Sequence, residues 1–321
     1  GPIGKTVVCE YGVIENTDGK TGEKTEEKTA VIEIAKAAGL TLLSEEERNP
    51  LYTTTYGVGE VIKDAVRNGC RKFIVGIGGS ATNDGGAGML QALGFGLLKE
   101  NGEQIPIGAR GLEELAEITD DNVIPELAEC KFKIACDVTN VLCGETGASA
   151  VYGPQKGADE EMTERLDRLL FSYASLVKKK IPKADSMYPG TGAAGGLGFA
   201  FLTFMDAQLE SGIQIVIKET GLEQEIAKAD LVITGEGRMD GQTAMGKAPI
   251  GIAKIAKKYG KPVIAFAGAA ARDAGACNEQ GIDAFFPILR EAVSLEAAMK
   301  RENAEANMEA AVEQAYRLWR L

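Results

Sequence analysis

An apolar strand that runs directly into a glycine-rich loop is the feature that most limits how this chain can fold. Residues 73–75 read Phe-Ile-Val, and residues 76–88 read GIGGSATNDGGAG. The apolar pattern of residues 89–93 then predicts a helix that begins near Gly86. A strand, a glycine loop and a helix start in this order are typical of α/β proteins, and unpaired amides at a helix start attract anions. We therefore expect an α/β fold in which this loop is either an anion site or a capping turn.

Strand and helix patterns continue along the whole chain. Strands are predicted at 5–14 and 30–34, with a polar turn at 16–27 between them. Four more strands are predicted at 73–77, 95–98, 104–107 and 131–136. Helices are predicted at 58–69, from Gly86, at 159–178, and after a second glycine-rich stretch at 189–198 through Leu209. From residue 211 the segments ADLVITGEG, AMGKAPIGIAKIAKKYG, KPVIAFAG and GIDAFFPIL alternate between strand and helix, which is typical of a parallel sheet. The ending, 294–321, is amphipathic, with Ser294 as a helix N-cap. We place a domain boundary near residue 210.

Composition excludes several classes of function. The chain has 321 residues and a net charge of −12, with no basic stripe, which argues against a nucleic acid as partner. No apolar run is long enough to span a membrane, and the printed start does not have the pattern of a signal peptide. We therefore expect a cytoplasmic protein that does not bind membranes. The six cysteines show no Cys-x-x-Cys pair. With no histidine, Ser-His-Asp chemistry and His-ligated metals are excluded, and an oxygen-liganded ion such as Mg²⁺ is favoured.

The opening loop supplies the first candidate site. Its glycines allow close backbone approach to an anion, and its polar side chains add donors and an acid. The candidate anion-binding residues are Gly78, Gly79, Ser80, Asn83, Gly85 and Gly86. Asp84 is a candidate catalytic group and metal ligand, unless it and Asn83 form only a capping turn.

A second glycine stretch, PGTGAAGGLG at 189–198, contains a formal G-x-G-x-x-G pattern. No apolar strand precedes it, so the match to a dinucleotide-binding fingerprint is weak. Gly192 and Gly195 therefore belong either to a close helix packing or to a second phosphate contact.

Three further stretches place charged side chains where strands end. The segment TGEGRMDGQT presents Glu236, Arg238, Asp240 and Gln242 at alternating positions, and Lys247 follows at the next helix start. Asp137 ends the strand of ACDVTN, and Lys156 lies in the turn YGPQKGA. Ligands bind beyond the carboxyl ends of parallel strands, so these groups are candidate substrate, phosphate or metal contacts. The alternatives are a surface salt-bridge cluster and ordinary turn chemistry.

Five motifs together resemble a known family. GIGGSATNDGGAGMLQALG, ACDVTN, GPQKGA, GTGAAGGLG and TGEGRMDGQT followed by GKAPIG occur in this order in the bacterial class I glycerate kinases, and the resemblance extends from residue 1 to about 290. The resemblance implies two α/β domains with the active site between them. It identifies residues 1–210 as an inserted mixed-sheet domain that carries the glycine loops, and 211–321 as the second half of a Rossmann-like, three-layer parallel domain.

The resemblance also implies an activity. The family transfers the γ-phosphate of ATP to a hydroxyl group of D-glycerate, and we expect Mg²⁺ to assist. On this hypothesis the 78–86 loop and Lys247 bind phosphate, while Asp84 and Asp137 bind metal or orient the hydroxyl. Arg238, with Glu236 and Gln242, contacts glycerate, and Lys156 and Asp240 act in catalysis. A homodimer is compatible with the sequence, which does not fix the oligomeric state.

One departure from the family pattern concerns the chain start. Family members carry a further strand–helix–strand segment ahead of GPIG, and we expect the printed sequence to begin after it. Two other functions stay open at this point. One is a nicotinamide-dependent oxidoreductase that uses residues 76–81, and the other is a non-catalytic protein that binds a small anion.

Overall fold

The computed structural model describes residues 1–17 and 24–321, which divide into two units, Gly1–Ser211 and Gly212–Leu321. The elements of the first unit are β1 (Gly12–Thr17), β2 (Lys24–Glu33), α1 (Ala35–Ala38), α2 (Tyr56–Arg67), β3 (Cys70–Gly76), α3 (Ala87–Ala92), β4 (Gly96–Leu98), β5 (Glu117–Thr119), β6 (Lys131–Ala135), α4 (Ala148–Tyr152), α5 (Glu160–Lys180), α6 (Ala193–Phe204) and β7 (Ala207–Glu210). The elements of the second unit are α7 (Gly212–Thr220), α8 (Leu222–Lys228), β8 (Val232–Met239), α9 (Ala248–Lys258), β9 (Val263–Ala270), α10 (Ala276–Glu279), β10 (Ala284–Pro287), α11 (Leu295–Ala298) and α12 (Arg301–Trp319).

The main sheet of the first unit is mixed, in the order β1-β2-β3-β6-β7. The β1–β2 pair is antiparallel, and the β2–β3, β3–β6 and β6–β7 pairs are parallel. The second unit contains a parallel sheet in the order β10-β9-β8. The α/β fold class, with parallel and mixed sheets, is therefore confirmed.

Aromatic packing fixes the two strands that lead to the glycine loop. Phe73 of β3 and Phe132 of β6 stack with ring centroids 4.6 Å apart, and Phe201 of α6 packs on Phe132 at 5.7 Å. All three rings are buried, and burying each contributes roughly 2–3 kcal/mol. The carboxyl ends of β3 and β6 are thus held side by side by the core beneath them.

Most of the predicted helices of the first unit are confirmed. In α2 the predicted apolar positions are buried, and the helix stops at Asn68, before Gly69 at φ +86°. In α5 the Asp159 carboxylate caps the first turn by accepting from the Met162 amide at 2.8 Å. The amphipathic patterns succeeded here because each helix buries one stripe against the sheet.

Several sequence predictions of local structure were wrong. Residues 5–11 form no strand; the segment packs instead beside α1 and α2, where the Tyr11 hydroxyl donates to Asp64. The predicted strand at 104–107 makes only one bridge, Gln104 to Leu98, and β4 pairs with the unpredicted β5. The predicted turn at 16–27 is also wrong in its described part, because residues 16–17 belong to β1 and 24–27 to β2; the rest of it lies outside the described residues.

The predicted helix through Leu209 ends at Phe204, and β7 follows because its backbone pairs with β6. Helices α7 and α8 were missed. The predicted C-terminal helix is split: Ser294 caps α11 as expected, with its hydroxyl accepting from the Ala297 amide at 3.2 Å. The extended backbone of Lys300 then separates α11 from α12.

Candidate functional site

A cavity of about 310 Å³ lies in the first unit beyond the carboxyl ends of β3 and β6. Its lining includes Gly78, Gly79, Ser80, Asp137, Lys156, Gln155, Tyr152, Cys136 and Ala194. Five residues selected from three separate sequence motifs are thereby brought together: Gly78, Gly79, Ser80, Asp137 and Lys156. The cavity occupies the position at which parallel α/β sheets bind ligands.

The backbone of the glycine loop is held on one side by the segment after α1. The Leu40 amide donates to the Gly79 carbonyl at 2.9 Å, and the Ala81 amide donates to the Ala38 carbonyl at 2.8 Å. Gly79 has φ +69°, a conformation that favours glycine. Within the described parts of the chain, the amides of Gly78, Gly79 and Ser80 donate to no protein acceptor. All three residues line the cavity, so their unpaired amides are candidate donors to an anion.

Lys156 supplies a buried amine to the same wall. It ends the short turn after α4, and its side chain is only 2% exposed. Its Nζ donates to the Ser80 hydroxyl at 3.1 Å and to the Thr82 carbonyl at 2.7 Å. Burial lowers the pKa of Lys156 to about 7, and the negative charge of Asp84 opposes part of that shift.

Asp84 lies beneath the loop and not in the cavity lining. It is fully buried, at 0% exposure. Its carboxylate accepts from the Thr55 amide at 2.8 Å, the Thr55 hydroxyl at 3.0 Å, the Gly86 amide at 3.1 Å and the Gly88 amide at 3.3 Å. Burial raises the pKa of Asp84, although these donors act in the opposite direction. The carboxylate therefore connects the starts of α2 and α3.

Asn83 is also buried behind the loop. Its Nδ2 donates to the Ser149 hydroxyl of α4 at 2.9 Å. In the described residues, no partner is found for Asn83 Oδ1 or for the neighbouring Thr82 hydroxyl oxygen. Buried polar atoms of this kind are usually paired with protein or ordered water, so this polar interior is incompletely satisfied by the chain itself.

The second glycine stretch packs directly on the first. A Cβ at Gly195 would lie 2.0 Å from the Thr82 carbonyl oxygen, and one at Gly196 would lie 2.8 Å from the Gly85 Cα. The Gly85 amide donates to the Gly195 carbonyl at 2.9 Å. These glycines permit backbone-to-backbone contact that no side chain would allow. Close packing, one of the two roles that the sequence left open for this stretch, is thus present at Gly195.

Two other glycines that the sequence indicated as candidate binding residues are also closely packed. A Cβ at Gly86 would lie 2.4 Å from the Ala200 Cβ, and one at Gly192 would lie 2.1 Å from the Val141 carbonyl oxygen. Neither glycine lines the cavity. Ala194, which the sequence did not single out, does line it and has φ +52°.

In the second unit, Asp240 organises the loop after β8. Its carboxylate accepts from the amides of Gln242 and Thr243 at 3.0 and 3.2 Å. Arg238 Nε and Lys247 Nζ approach the same carboxylate at 3.8 and 3.9 Å. These are long ion pairs, and the Arg238 side chain is 71% exposed. Both cations are therefore accessible to an anionic ligand.

Glu236 lies on β8, two residues before Arg238. Within the described chain, its Oε1 atom is buried and has no hydrogen-bond partner. The sequence pattern found this acid but gave no indication of its burial.

Residues 1–17 and 24–321 contain no cluster of three or more acidic or cysteine side chains that could bind a metal. Nor do they contain a helix with the length and apolar character needed to cross a bilayer.

Sequence reasoning missed Thr55, Ser149 and Tyr152. Thr55 precedes α2, and a Thr before a helix is a recognisable capping signal. The Tyr152 hydroxyl donates to Asn140 Oδ1 at 2.6 Å beside the cavity. Neither Ser149 nor Tyr152 carried a local signal, because their roles come from contacts between distant segments.

Comparison with known proteins gives a consistent result. Residues 1–320 match the model of the glycerate kinase family. The chain is 48% identical to a glycerate kinase of Halalkalibacterium halodurans, over 94% of this chain and 77% of that protein. It is 47% identical to a glycerate 2-kinase of Escherichia coli, over 94% and 76%. A crystal structure assigned as glycerate kinase 2 of Salmonella typhimurium superimposes with a TM-score of 0.82 at 46% identity, covering 98% of this chain and 80% of that one.

Proposed function

Because the chain belongs to the glycerate kinase family, we propose that it transfers the γ-phosphoryl group of ATP to a hydroxyl group of D-glycerate. The observation that carries the proposal is the cavity in which free backbone amides, Ser80, Lys156 and Asp137 meet. The family match and the relatives support neither the oxidoreductase nor the non-catalytic alternative.

The cavity is suited to the reacting groups rather than to a whole nucleotide. At about 310 Å³ it has room for a three-carbon acid beside a terminal phosphoryl group. We propose that the amides of Gly78, Gly79 and Ser80 bind the phosphoryl oxygens, because successive free amides form a fixed array of positive dipoles. Such preorganised dipoles supply much of the stabilisation in phosphoryl transfer.

Asp84 and Asn83 have a different place in this proposal. Four donors already occupy the Asp84 carboxylate, and both side chains are fully buried. We therefore propose that Asp84 positions the glycine loop instead of binding metal. Asn83 holds the loop to α4 through Ser149. A structural role is likewise proposed for Gly85, Gly86, Gly192 and Gly195, because these glycines allow the two glycine loops to pack.

The loop after β8 supplies cations for anionic groups. Arg238 is the proposed ligand of the glycerate carboxylate, because its guanidinium is exposed and forms a fork that fits a carboxylate. Lys247 is proposed to offset phosphate charge, with Gln242 and Glu236 as polar contacts of the substrate. Asp240 holds Arg238 and Lys247 near one another.

Mg²⁺ fits the residues present as an ion bound largely by phosphate oxygens. Mg²⁺ in kinases is commonly held by one or two carboxylates together with the substrate, so the absence of a three-acid cluster among the described residues is compatible with it. Asp137 is the proposed carboxylate, since it is exposed and lines the cavity. When bound, the ion neutralises charge on the phosphoryl group.

A coupled assay of ADP release tests the proposed function. The expected result is release of ADP that requires both D-glycerate and Mg²⁺, with phosphoglycerate as the product. NMR of the product then identifies which hydroxyl group receives the phosphoryl group. The proposal is contradicted if ADP release does not depend on glycerate, or if no ADP is released when ATP, Mg²⁺ and D-glycerate are all present.

A further inference from the structure

Two buried polar side chains meet at the cavity wall. Lys156 Nζ lies 3.1 Å from Ser80 Oγ, and the two side chains are 2% and 7% exposed. Both nevertheless line the cavity. We infer that this pair accepts the proton of the glycerate hydroxyl group, with Ser80 Oγ as the relay and Lys156 Nζ as the final acceptor. The inference rests on the proposed glycerate phosphorylation.

The hydrogen-bond geometry of Lys156 fits a neutral amine. A neutral amine has two N–H groups and one lone pair, whereas an ammonium group has three donors and no acceptor. The Thr82 carbonyl, 2.7 Å away, can only accept, so it fixes one N–H group. The second N–H group donates to Ser80 Oγ, 3.1 Å away, so the lone pair of a neutral amine is left unused and accepts the Ser80 proton when this hydrogen bond reverses in the relay. Among the described residues, Nζ has no third protein acceptor that an ammonium group could use.

The electrostatic surroundings support the same protonation state. Burial lowers the pKa of Lys156 to about 7, and Asp84 is the charged group that opposes this shift. The other titratable groups at the cavity are Cys136, Asp137 and Tyr152. The chain has no histidine, the side chain that most often accepts a proton near neutral pH. Lys156 is therefore suited to this task.

The proton and bond changes balance without another reactant. The glycerate hydroxyl proton moves to Ser80 Oγ as the Ser80 proton moves to Lys156 Nζ. The glycerate oxygen forms its bond to phosphorus while the bond between phosphorus and the departing ADP oxygen breaks. Lys156 becomes an ammonium ion beside the phosphorylated product, and it returns its proton to solvent after product release.

The pH dependence of the unmodified protein gives the first test. The quantity to measure is kcat/KM for glycerate at saturating ATP, because it reports the ionisation of the enzyme before glycerate binds. If Lys156 accepts the proton, kcat/KM rises with pH and reaches a plateau above about pH 7. If the reaction instead requires the positively charged form of Lys156, kcat/KM falls over the same range as the amine loses its proton. A falling limb overturns the inference without any variant.

Substitutions at Lys156 and Ser80 give the second test. Lys156→Arg keeps a positive charge but cannot accept a proton, so we expect kcat to fall roughly 10²–10⁴-fold, as with Lys156→Met. Ser80→Ala is expected to lower kcat by roughly tenfold or more and to weaken the rising pH limb. Lys179→Met, at an exposed position of α5, is the matched control and should leave kcat unchanged. An active Lys156→Arg protein contradicts the inference.

Chemical rescue separates the proton role from the charge role. Methylamine should restore part of the activity of Lys156→Ala, in proportion to its unprotonated fraction, whereas guanidinium should not. Equal rescue by both overturns the inference, as does rescue by neither in a variant whose thermal unfolding is cooperative. A wild-type protein that releases no glycerate-dependent ADP at any pH overturns the proposed function itself, whereas turnover with a falling pH limb overturns only the proton relay.

Discussion

The carboxylate of Asp84 is bound twice by Thr55, through the backbone amide at 2.8 Å and the hydroxyl group at 3.0 Å. The same hydroxyl oxygen accepts from the Met89 amide at 2.9 Å. One buried pair thus joins the first turn of α2 to the first turn of α3. The glycine loop lies directly before α3, so its conformation depends on this connection.

Asp84→Asn should destabilise the protein. The amide group would present N–H donors where backbone amides already donate, and at least one buried donor would lose its acceptor. We expect the free energy of unfolding to fall by about 3 kcal/mol, as measured by urea denaturation. Asp121→Asn, at an exposed turn, is the control and should change it by less than about 0.5 kcal/mol.

A double-mutant cycle tests whether Thr55 and Asp84 act together. Thr55→Val removes the shared hydroxyl with little change in shape, and we expect a loss of about 1–3 kcal/mol. Combined with Asp84→Asn, the two losses should be clearly less than additive because the residues share one hydrogen-bond network. Additive losses would show that Asp84 does not depend on Thr55.

Lys156→Met should change how stability depends on pH. The pKa of Lys156 is lowered on folding, to about 7, so between that value and its ordinary value the unfolded chain carries a proton that the folded protein lacks. The stability of the wild type therefore rises with pH across that window, by at most about 1.4 kcal/mol per pH unit. Lys156→Met lacks this contribution.

Urea denaturation of both proteins from pH 6 to 9 measures this effect. The difference in unfolding free energy, wild type minus Lys156→Met, should be constant below about pH 7 and increase above it. A difference that stays constant up to pH 9 would mean that Lys156 remains charged in the folded protein.

Gly195→Ala should distort the contact between the two glycine loops. Gly195 has φ +67°, and its added Cβ would lie 2.0 Å from the Thr82 carbonyl oxygen. We expect a loss of several kcal/mol, because backbone strain and overpacking act together. The matched control is Gly102→Ala, which has φ +82° and no atom within 4 Å of the new Cβ.

Thermal unfolding of the two alanine variants separates strain from steric clash. Gly102→Ala should cost only the strain of a left-handed alanine, about 1–2 kcal/mol. If both variants lose the same stability, the loops are able to move apart, and close packing does not explain the second glycine stretch.

Arg238→Ala should weaken glycerate binding while leaving the fold intact. The side chain is 71% exposed and its ion pair with Asp240 is long, at 3.8 Å, so little stability depends on it. We expect KM for glycerate to rise roughly 10–100-fold, as for the loss of a charge-assisted bidentate contact. Steady-state kinetics measure the effect, and Arg301→Ala on α12 is the exposed control. An unchanged KM excludes Arg238 as a glycerate ligand.

The sequence by itself determined the α/β class, the positions of β3, β6, α2, α5 and the strands of the second unit, and five of the residues that line the cavity. These features follow from local hydrophobic periodicity and from glycine loops that immediately follow strands. The order of five motifs also identified the family. Short elements such as β5 and β7 were missed because their backbone pairing, and not their own residues, makes them strands.

Only the tertiary structure decided what the polar residues of the loop do. Ser80, Asn83 and Asp84 are within five residues of one another and look equivalent in the sequence. In the fold, Ser80 borders the cavity, whereas Asn83 and Asp84 point into a buried interior formed by α2, α3 and α4. The reason is physical: burial and hydrogen-bond partners come from segments 29 to 76 positions away in the chain, at Thr55, Ser149 and Lys156, and no local pattern encodes them.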